Sequence, residues 1–94
     1  MIPYGRHYID EADVAAVVDV LRHGALTQGP KIAEFEESVA RYVGAKYAVA
    51  VSSGTAALHL ACIAADAGPG DNVVTTPSTF VASANCALYV GATP

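Results

Sequence analysis

The 94-residue sequence predicts an α/β fold, in which N-terminal helices precede a βαβ unit of a mostly parallel sheet. Up to residue 44, apolar side chains recur at helical spacing. From residue 45, short apolar runs without alternation lie on either side of an apolar helical segment, as is typical of parallel strands that are covered on both faces. We therefore divide the chain into an N-terminal helical arm, residues 1–44, and the start of a larger domain, residues 45–94.

The first predicted helix runs from about Glu11 to His23. Asp10 can accept hydrogen bonds from the first amides, Asp13 stands where a capping box requires an acidic or amide side chain, and Gly24 ends the helix. The apolar stripe consists of Val14, Val17, Val18 and Leu21.

The second predicted helix begins at Pro30, after a loop of residues 25–29, and ends before Gly44. Its apolar stripe consists of Ile32, Phe35, Val39 and Tyr42. Its charged side chains are interpreted as solvated groups rather than catalytic ones; they include Glu34, Glu36, Glu37 and Arg41.

The predicted βαβ unit starts with a strand at residues 47–51. It is followed by a turn of small residues and by a helix at 56–67 that is apolar almost all round. Gly68 ends this helix, and a second strand is predicted at 72–76. A fourth helix is predicted at 80–90, and residues 91–94 have the character of a turn that leads into another strand. Two strands with bare edges are not stable alone, so we expect further strands and helices from a longer polypeptide or a tight oligomer.

Composition excludes several classes of protein. With 53% hydrophobic residues, 15% charged residues and a net charge of -4, the chain is neither disordered nor a nucleic-acid binder by bulk charge. Neither a secretory signal nor a membrane span is recognisable, which predicts a soluble cytoplasmic protein. Cys62 and Cys86 lack motif spacing, so we expect buried free thiols rather than a disulfide, and no metal site is predicted.

The turn at residues 52–56 is the feature most indicative of chemistry. Between a buried strand and a buried helix, small residues let amides at the helix start approach an anion, and the Thr55 hydroxyl adds a donor. The alternative is that Thr55 is only an N-cap and Gly54 a tight turn. Neither a dinucleotide-binding glycine motif nor a P-loop is present. The turn can thus be interpreted either as an anion site or as a plain helix cap.

Three segments together resemble the DegT/DnrJ/EryC1/StrS aminotransferases. They are Val51-Ser52-Ser53-Gly54-Thr55-Ala56-Ala57-Leu58-His59-Leu60, then Gly68-Pro69-Gly70-Asp71, then Thr76-Pro77-Ser78-Thr79-Phe80-Val81-Ala82-Ser83-Ala84-Asn85. The opening Ile2-Pro3-Tyr4-Gly5-Arg6 and the loop Leu26-Thr27-Gln28-Gly29-Pro30 also match. The resemblance implies part of a fold type I large domain that binds pyridoxal 5'-phosphate (PLP).

The same resemblance implies a function and a set of site residues. The parent enzyme would move an amino group, from glutamate, to the 4-keto carbon of a UDP-linked 6-deoxy sugar in bacterial surface-sugar biosynthesis, as a homodimer. The cofactor-binding residues would be Gly54, Thr55, Ala56 and Phe80, with Phe80 flat against the pyridine ring; the substrate-binding residues would be Arg6, Thr27 and Gln28. Without the resemblance, Phe80 is a core aromatic, Thr27 and Gln28 an ordinary polar loop, and Arg6 a surface arginine.

The family's Schiff-base lysine and the carboxylate that pairs with the pyridine nitrogen are expected beyond the matching region, and neither Lys31 nor Lys46 matches the lysine's motif. No catalytic residue is therefore assigned, and the 94 residues alone are expected to be inactive. Two alternatives stay open: a sugar 3-dehydratase of the same family, in which histidine replaces the lysine, and a non-catalytic chain with only an interaction role.

Overall fold

The computed structural model describes residues 5–94, which contain four α-helices. They are α1 (Glu11–His23), α2 (Pro30–Val43), α3 (Gly54–Ala64) and α4 (Ala82–Tyr89). The chain divides into two compact units, an N-terminal unit that ends at Ala50 and a C-terminal unit, Val51–Pro94. Within the described residues, none of the helices has the length and hydropathy that crossing a bilayer requires.

Helix α1 has the predicted bounds because its capping box forms. Asp10 Oδ1 accepts hydrogen bonds from the amides of Ala12 at 2.9 Å and Asp13 at 3.0 Å, and Asp13 Oδ2 accepts from the amide of Asp10 at 3.1 Å. At the other end, the amide of Gly24 donates to the carbonyl of Val20 at 2.9 Å. Two of the amides left unpaired by the first turn are thus satisfied by the side chain of Asp10.

Helix α2 also has the predicted bounds, with Pro30 as its first residue and Gly44 after its last. Gly44 has a φ of 70°, in the left-handed region that favours glycine, and this turns the chain out of the helix. The expectation that Glu36 is only a solvated group is wrong. Its Oε1 accepts a hydrogen bond of 2.7 Å from the amide of Ala50 in the same unit, so it anchors the segment that follows α2.

The two predicted strands do not form within residues 5–94, and this part of the chain is helical. Strand pairing is reduced to one parallel bridge between Asn72 and Thr93, on either side of α4. Around it, the amide of Val73 donates to the carbonyl of Thr93, and the amide of Thr93 donates to the carbonyl of Asp71, both at 2.9 Å. A strand requires a ladder of paired residues, and residues 47–51 have no such partner in the described chain.

Helix α3 begins two residues earlier than predicted and ends three residues earlier. It begins early because Ser53 caps it, and it ends early because Asp66 turns into the left-handed region with a φ of 57°. Helix α4 starts at Ala82 rather than at residue 80, because the amides of Ser83 and Ala84 bond in i→i+3 turns to the carbonyls of Phe80 and Val81. Both differences arise from local hydrogen bonds that the apolar pattern does not reveal.

The core of the C-terminal unit lies where α3 packs against α4. Its buried residues are all small, namely Cys62, Ala82, Cys86, Ala87 and Ala92. The rings of His59 and Tyr89 add an edge contact between the two helices, with centroids 5.2 Å apart. Leu60 and Ile63 of α3 remain about half exposed, so residues 5–94 do not supply the cover that we expect for this helix from a longer polypeptide or a tight oligomer.

Candidate functional site

The first turn of α3 carries the candidate anion site. Ser53 is the N-cap residue, and its Oγ accepts a hydrogen bond of 3.1 Å from the amide of Ala56. The alternative in which Thr55 is the N-cap is therefore wrong: Thr55 is the second residue of the helix. The carbonyl of Ser53 accepts the first intrahelical bond, from Ala57 at 3.0 Å.

This arrangement leaves the amides of Gly54 and Thr55 without an acceptor in the described chain. Both lie at the positive end of the helix dipole, where an anion is favoured. A Cβ built on Gly54 would meet nothing within 4 Å, so there is open space beside the first turn. The amide of Ala56 already donates a hydrogen bond to Ser53 Oγ. It can therefore contribute to an anion site only if its N–H is shared between Ser53 and the anion.

Phe80 lies in the segment between Asn72, the first residue of the parallel bridge, and the start of α4. Its side chain is 74% exposed, so within the C-terminal unit it is not the core aromatic of the alternative interpretation. It borders a cavity of about 320 Å³ that is lined by Thr75, Thr76, Pro77, Thr79, Phe80, Val81 and Ala84. The residues of the α3 first turn do not line this cavity.

The loop between α1 and α2 holds Thr27 and Gln28 in a constrained conformation. Gln28 has a φ of 52°, a region that a residue with a side chain rarely occupies. The next residue must be small, because a Cβ on Gly29 would lie 2.6 Å from the carbonyl oxygen of Ala25. Both Thr27 and Gln28 are exposed, so the loop presents their polar groups outward.

Arg6 is exposed and borders a hollow of about 450 Å³ that is lined by the consecutive residues Arg6, His7, Tyr8 and Ile9. No carboxylate within residues 5–94 forms an ion pair with it. Neither Thr27 nor Gln28 lines this hollow. Of the matching opening motif, Ile2, Pro3 and Tyr4 lie outside the described residues.

Sequence analysis missed the proximity of the two cysteines. Both are free and buried as expected, but the structure brings Cys62 of α3 and Cys86 of α4 to the wall of one cavity. Interaction with the neighbouring Cys86 thiol, together with burial, raises the pKa of Cys62. Only helix packing reveals this pair, since the spacing in sequence matches no motif. Elsewhere in the described part of the chain, no three His, Cys, Asp or Glu side chains converge as metal ligands would.

Comparison with known proteins gives consistent results. The profile of the DegT/DnrJ/EryC1/StrS aminotransferase family matches residues 7–94. Over 93 residues the chain is 48% identical to a UDP-4-amino-4-deoxy-L-arabinose--oxoglutarate aminotransferase of Shewanella sediminis (strain HAW-EB3), covering 99% of this chain and 24% of that protein. With the same coverage, it is 47% identical to the spore coat polysaccharide biosynthesis protein SpsC of Bacillus subtilis (strain 168).

Among solved structures, the PLP form of the putative sugar aminotransferase Spr1654 from Streptococcus pneumoniae is similar with a TM-score of 0.86 at 41% identity. The match covers 99% of this chain and 24% of that one. An aminotransferase from Psychrobacter cryohalolentis gives a TM-score of 0.82 at 36% identity. The chain therefore spans about a quarter of the length of the relatives that it matches.

Proposed function

Because the chain belongs to the DegT/DnrJ/EryC1/StrS aminotransferase family, we propose that it is the N-terminal part of a PLP-dependent sugar-nucleotide aminotransferase. The observation that carries this proposal is the first turn of α3, where two amides without an acceptor face open space at the positive end of a helix. The family supplies the identity of the anion, and the helix supplies the means to bind it.

In this proposal the cofactor phosphate binds at Gly54, Thr55 and Ala56. The amides of Gly54 and Thr55 donate directly, the Thr55 hydroxyl adds a third donor, and the amide of Ala56 is shared with Ser53. PLP, when bound, supplies the electron-withdrawing ring on which an amino group is carried from donor to acceptor. The role of this chain is to anchor and orient that ring through its phosphate.

Phe80 is proposed to lie against one face of the ring. Its exposure within the C-terminal unit supports this role, since a flat aromatic side chain with a free face is available to stack. Stacking of this kind contributes about 0.5–1.5 kcal/mol beyond burial. We expect Phe80→Tyr to keep the cofactor affinity and Phe80→Leu to lower it; equal affinity in both variants would remove Phe80 from this role.

Arg6, Thr27 and Gln28 are proposed to contact the sugar nucleotide. The left-handed backbone of Gln28 supports this for the loop, because strain of this kind persists at sites where it positions a functional group. Arg6 can pair with a phosphate because no carboxylate in the described chain engages it. Gln28→Gly should relieve the strain and raise the thermal midpoint while it raises KM for the sugar nucleotide. An unchanged KM would mean that the loop is not part of the substrate site.

The proposed substrates are a UDP-linked 4-keto-6-deoxy sugar as acceptor and glutamate as donor. The name of the Shewanella sediminis relative supports a UDP-linked sugar. The motifs also resemble those of the transaminases of pseudaminic acid synthesis, so we propose a UDP-linked 4-keto-6-deoxy-N-acetylhexosamine as the first acceptor to assay. The exposed apolar side chains of α3 support a homodimeric enzyme, which light scattering of the intact protein would test.

The central experiment compares Thr55→Val with Thr55→Ser in the intact protein that carries both this chain and the Schiff-base lysine. Loss of a hydrogen bond to a charged group costs about 1.5–3 kcal/mol, which corresponds to a PLP dissociation constant raised by roughly 10- to 150-fold in Thr55→Val. Thr55→Ser keeps the hydroxyl and should keep the affinity. If Thr55→Val bound PLP as tightly as Thr55→Ser, the phosphate would not lie at this helix start.

A further inference from the structure

The hydrogen bond between Glu36 and the main chain at Ala50 is a contact that the proposed cofactor site does not include. Glu36 lies in α2 and is half-buried, and its Oε1 accepts from the amide of Ala50 at 2.7 Å. No lysine, arginine or histidine within residues 5–94 forms an ion pair with this carboxylate. The amide of Ala50 likewise has no main-chain acceptor in that range. Each group therefore depends on the other, and a hydrogen bond with one charged partner is stronger than a bond between neutral groups.

Ala50 is joined to the cap of α3 by a very short stretch of main chain. Val51 and Ser52 follow it, and the next residue is Ser53, whose side chain caps the helix. Ser53 therefore lies within roughly 11 Å of Ala50 in any conformation that the main chain can adopt. A main chain held at Ala50 thus limits the range over which the cap and the first turn of α3 can move.

We propose that Glu36 is a positioning residue for the phosphate-binding turn, because by holding the amide of Ala50 it keeps the start of α3 ordered before the phosphate binds. This inference rests on the proposed function, in which the amides of Gly54 and Thr55 bind the cofactor phosphate. The helix start needs such support, because terminal turns fray and because Gly54, the first residue of α3, is a poor helix former. A turn that is already ordered binds its anion more tightly, since less conformational entropy is lost on binding.

Pyridoxal, which has the ring and aldehyde of PLP but no phosphate, gives the sharpest readout. It makes no use of a phosphate site at the start of α3. Loss of the Glu36 hydrogen bond should therefore weaken the binding of PLP and leave the binding of pyridoxal unchanged. A general loss of stability would weaken both, so the ratio of the two dissociation constants distinguishes positioning from a merely structural role.

The test uses the apo form of the intact protein that carries both this chain and the Schiff-base lysine. Glu36→Ala removes the acceptor, whereas Glu36→Gln keeps an oxygen that can accept from Ala50. The matched control is Glu37→Ala, which removes the adjacent, exposed carboxylate of the same helix. Absorbance titration gives the dissociation constants of PLP and pyridoxal, and calorimetric titration gives that of inorganic phosphate. If Glu36→Ala does not fold, Glu36→Asp replaces it, because the shorter side chain weakens the same hydrogen bond.

We expect the dissociation constants of PLP and of inorganic phosphate to rise about three- to tenfold in Glu36→Ala, with that of pyridoxal unchanged. Glu36→Gln should recover most of the PLP affinity, and Glu37→Ala should match the unsubstituted protein. Equal PLP affinity in Glu36→Ala and Glu37→Ala would overturn the inference, and so would an equal loss for PLP and pyridoxal. The comparison of Thr55→Val with Thr55→Ser tests the proposed function separately. If Thr55→Val weakened PLP binding and Glu36→Ala did not, the phosphate site would stand and the role of Glu36 would be wrong.

Discussion

The two units of this chain are stabilised in different ways. In the N-terminal unit the described residues form helices with explicit ends: a capping box before α1, a proline at the start of α2 and a left-handed glycine after it. Among these residues only Ala40 is buried. In the C-terminal unit, small side chains are buried between α3 and α4, and one serine provides the side-chain cap of α3.

This difference indicates which interactions stabilise each unit. Hydrogen bonds at helix ends depend on residues two to four apart and are worth about 0.5–2 kcal/mol each. Packing of alanine and cysteine between helices depends on residues far apart in sequence and tolerates little change of volume. Substitutions at caps should therefore matter most in the N-terminal unit, and substitutions that add volume should matter most in the C-terminal unit.

The largest expected effect is that of Ala87→Leu. Ala87 is fully buried at 0% exposure, and a longer side chain there would force α3 and α4 apart at a cost of about 1–3 kcal/mol. The matched control is Ala16→Leu on an exposed position of α1, where a change within about 0.5 kcal/mol is expected. The measurement is urea denaturation of the protein and both variants. Equal stability of the two variants would show that the α3–α4 packing is not the main support of its unit.

The next largest effect is the loss of stability when the side-chain cap of α1 or of α3 is removed. Asp10→Ala removes the acceptor of two amides, while Ser53→Ala removes the acceptor of one. Both losses should fall within about 0.5–2 kcal/mol, with Asp10→Ala the larger. Denaturation without PLP avoids any effect of cofactor binding near Ser53. If Ser53→Ala cost more than Asp10→Ala, the contrast between a capped unit and a packed unit would be wrong.

The ends of α1 and α2 could be predicted from the sequence because their signals are local. Asp10, Pro30 and Gly44 each act on amides or carbonyls within four residues, and the structure confirms all three. The predicted strands could not be confirmed, because a strand exists only through partners that the local pattern does not supply. The Ser53 cap was missed because Thr55, two residues on, is also a good capping residue.

For the candidate site, the sequence pointed to the small-residue turn and to Phe80, and the structure adds their surroundings. The amides of Gly54 and Thr55 that lack an acceptor and the exposure of Phe80 are properties of three-dimensional structure. The strain at Gln28 could not be predicted either, since nothing in a glutamine indicates a positive φ. The cysteine pair required the packing of α3 on α4, which joins residues that are distant in sequence.

The smallest effect concerns the exposed ion pair of α2, in which Lys31 Nζ lies 2.6 Å from Glu34 Oε2. The hydrogen bond and charge of Glu34 raise the pKa of Lys31. The pair therefore contributes its stability below the ordinary pKa of lysine and loses it as pH rises through the raised value. In Glu34→Gln the NMR titration of Lys31 should shift to lower pH, with little change in unfolding near neutrality. An unshifted titration would mean that the pair does not persist in solution.

The parallel bridge between Asn72 and Thr93 also bears on the order of folding. It joins two residues on either side of α4, so its hydrogen bonds close a loop that contains one helix. Closing this loop costs chain entropy, and formation of α4 lowers that cost because the helix orders the residues between the bridged positions. We expect the amides of Val73 and Thr93 to gain protection together with those of α4 in pulsed hydrogen exchange during refolding. This crossover would then act as the nucleus on which further parallel pairing grows.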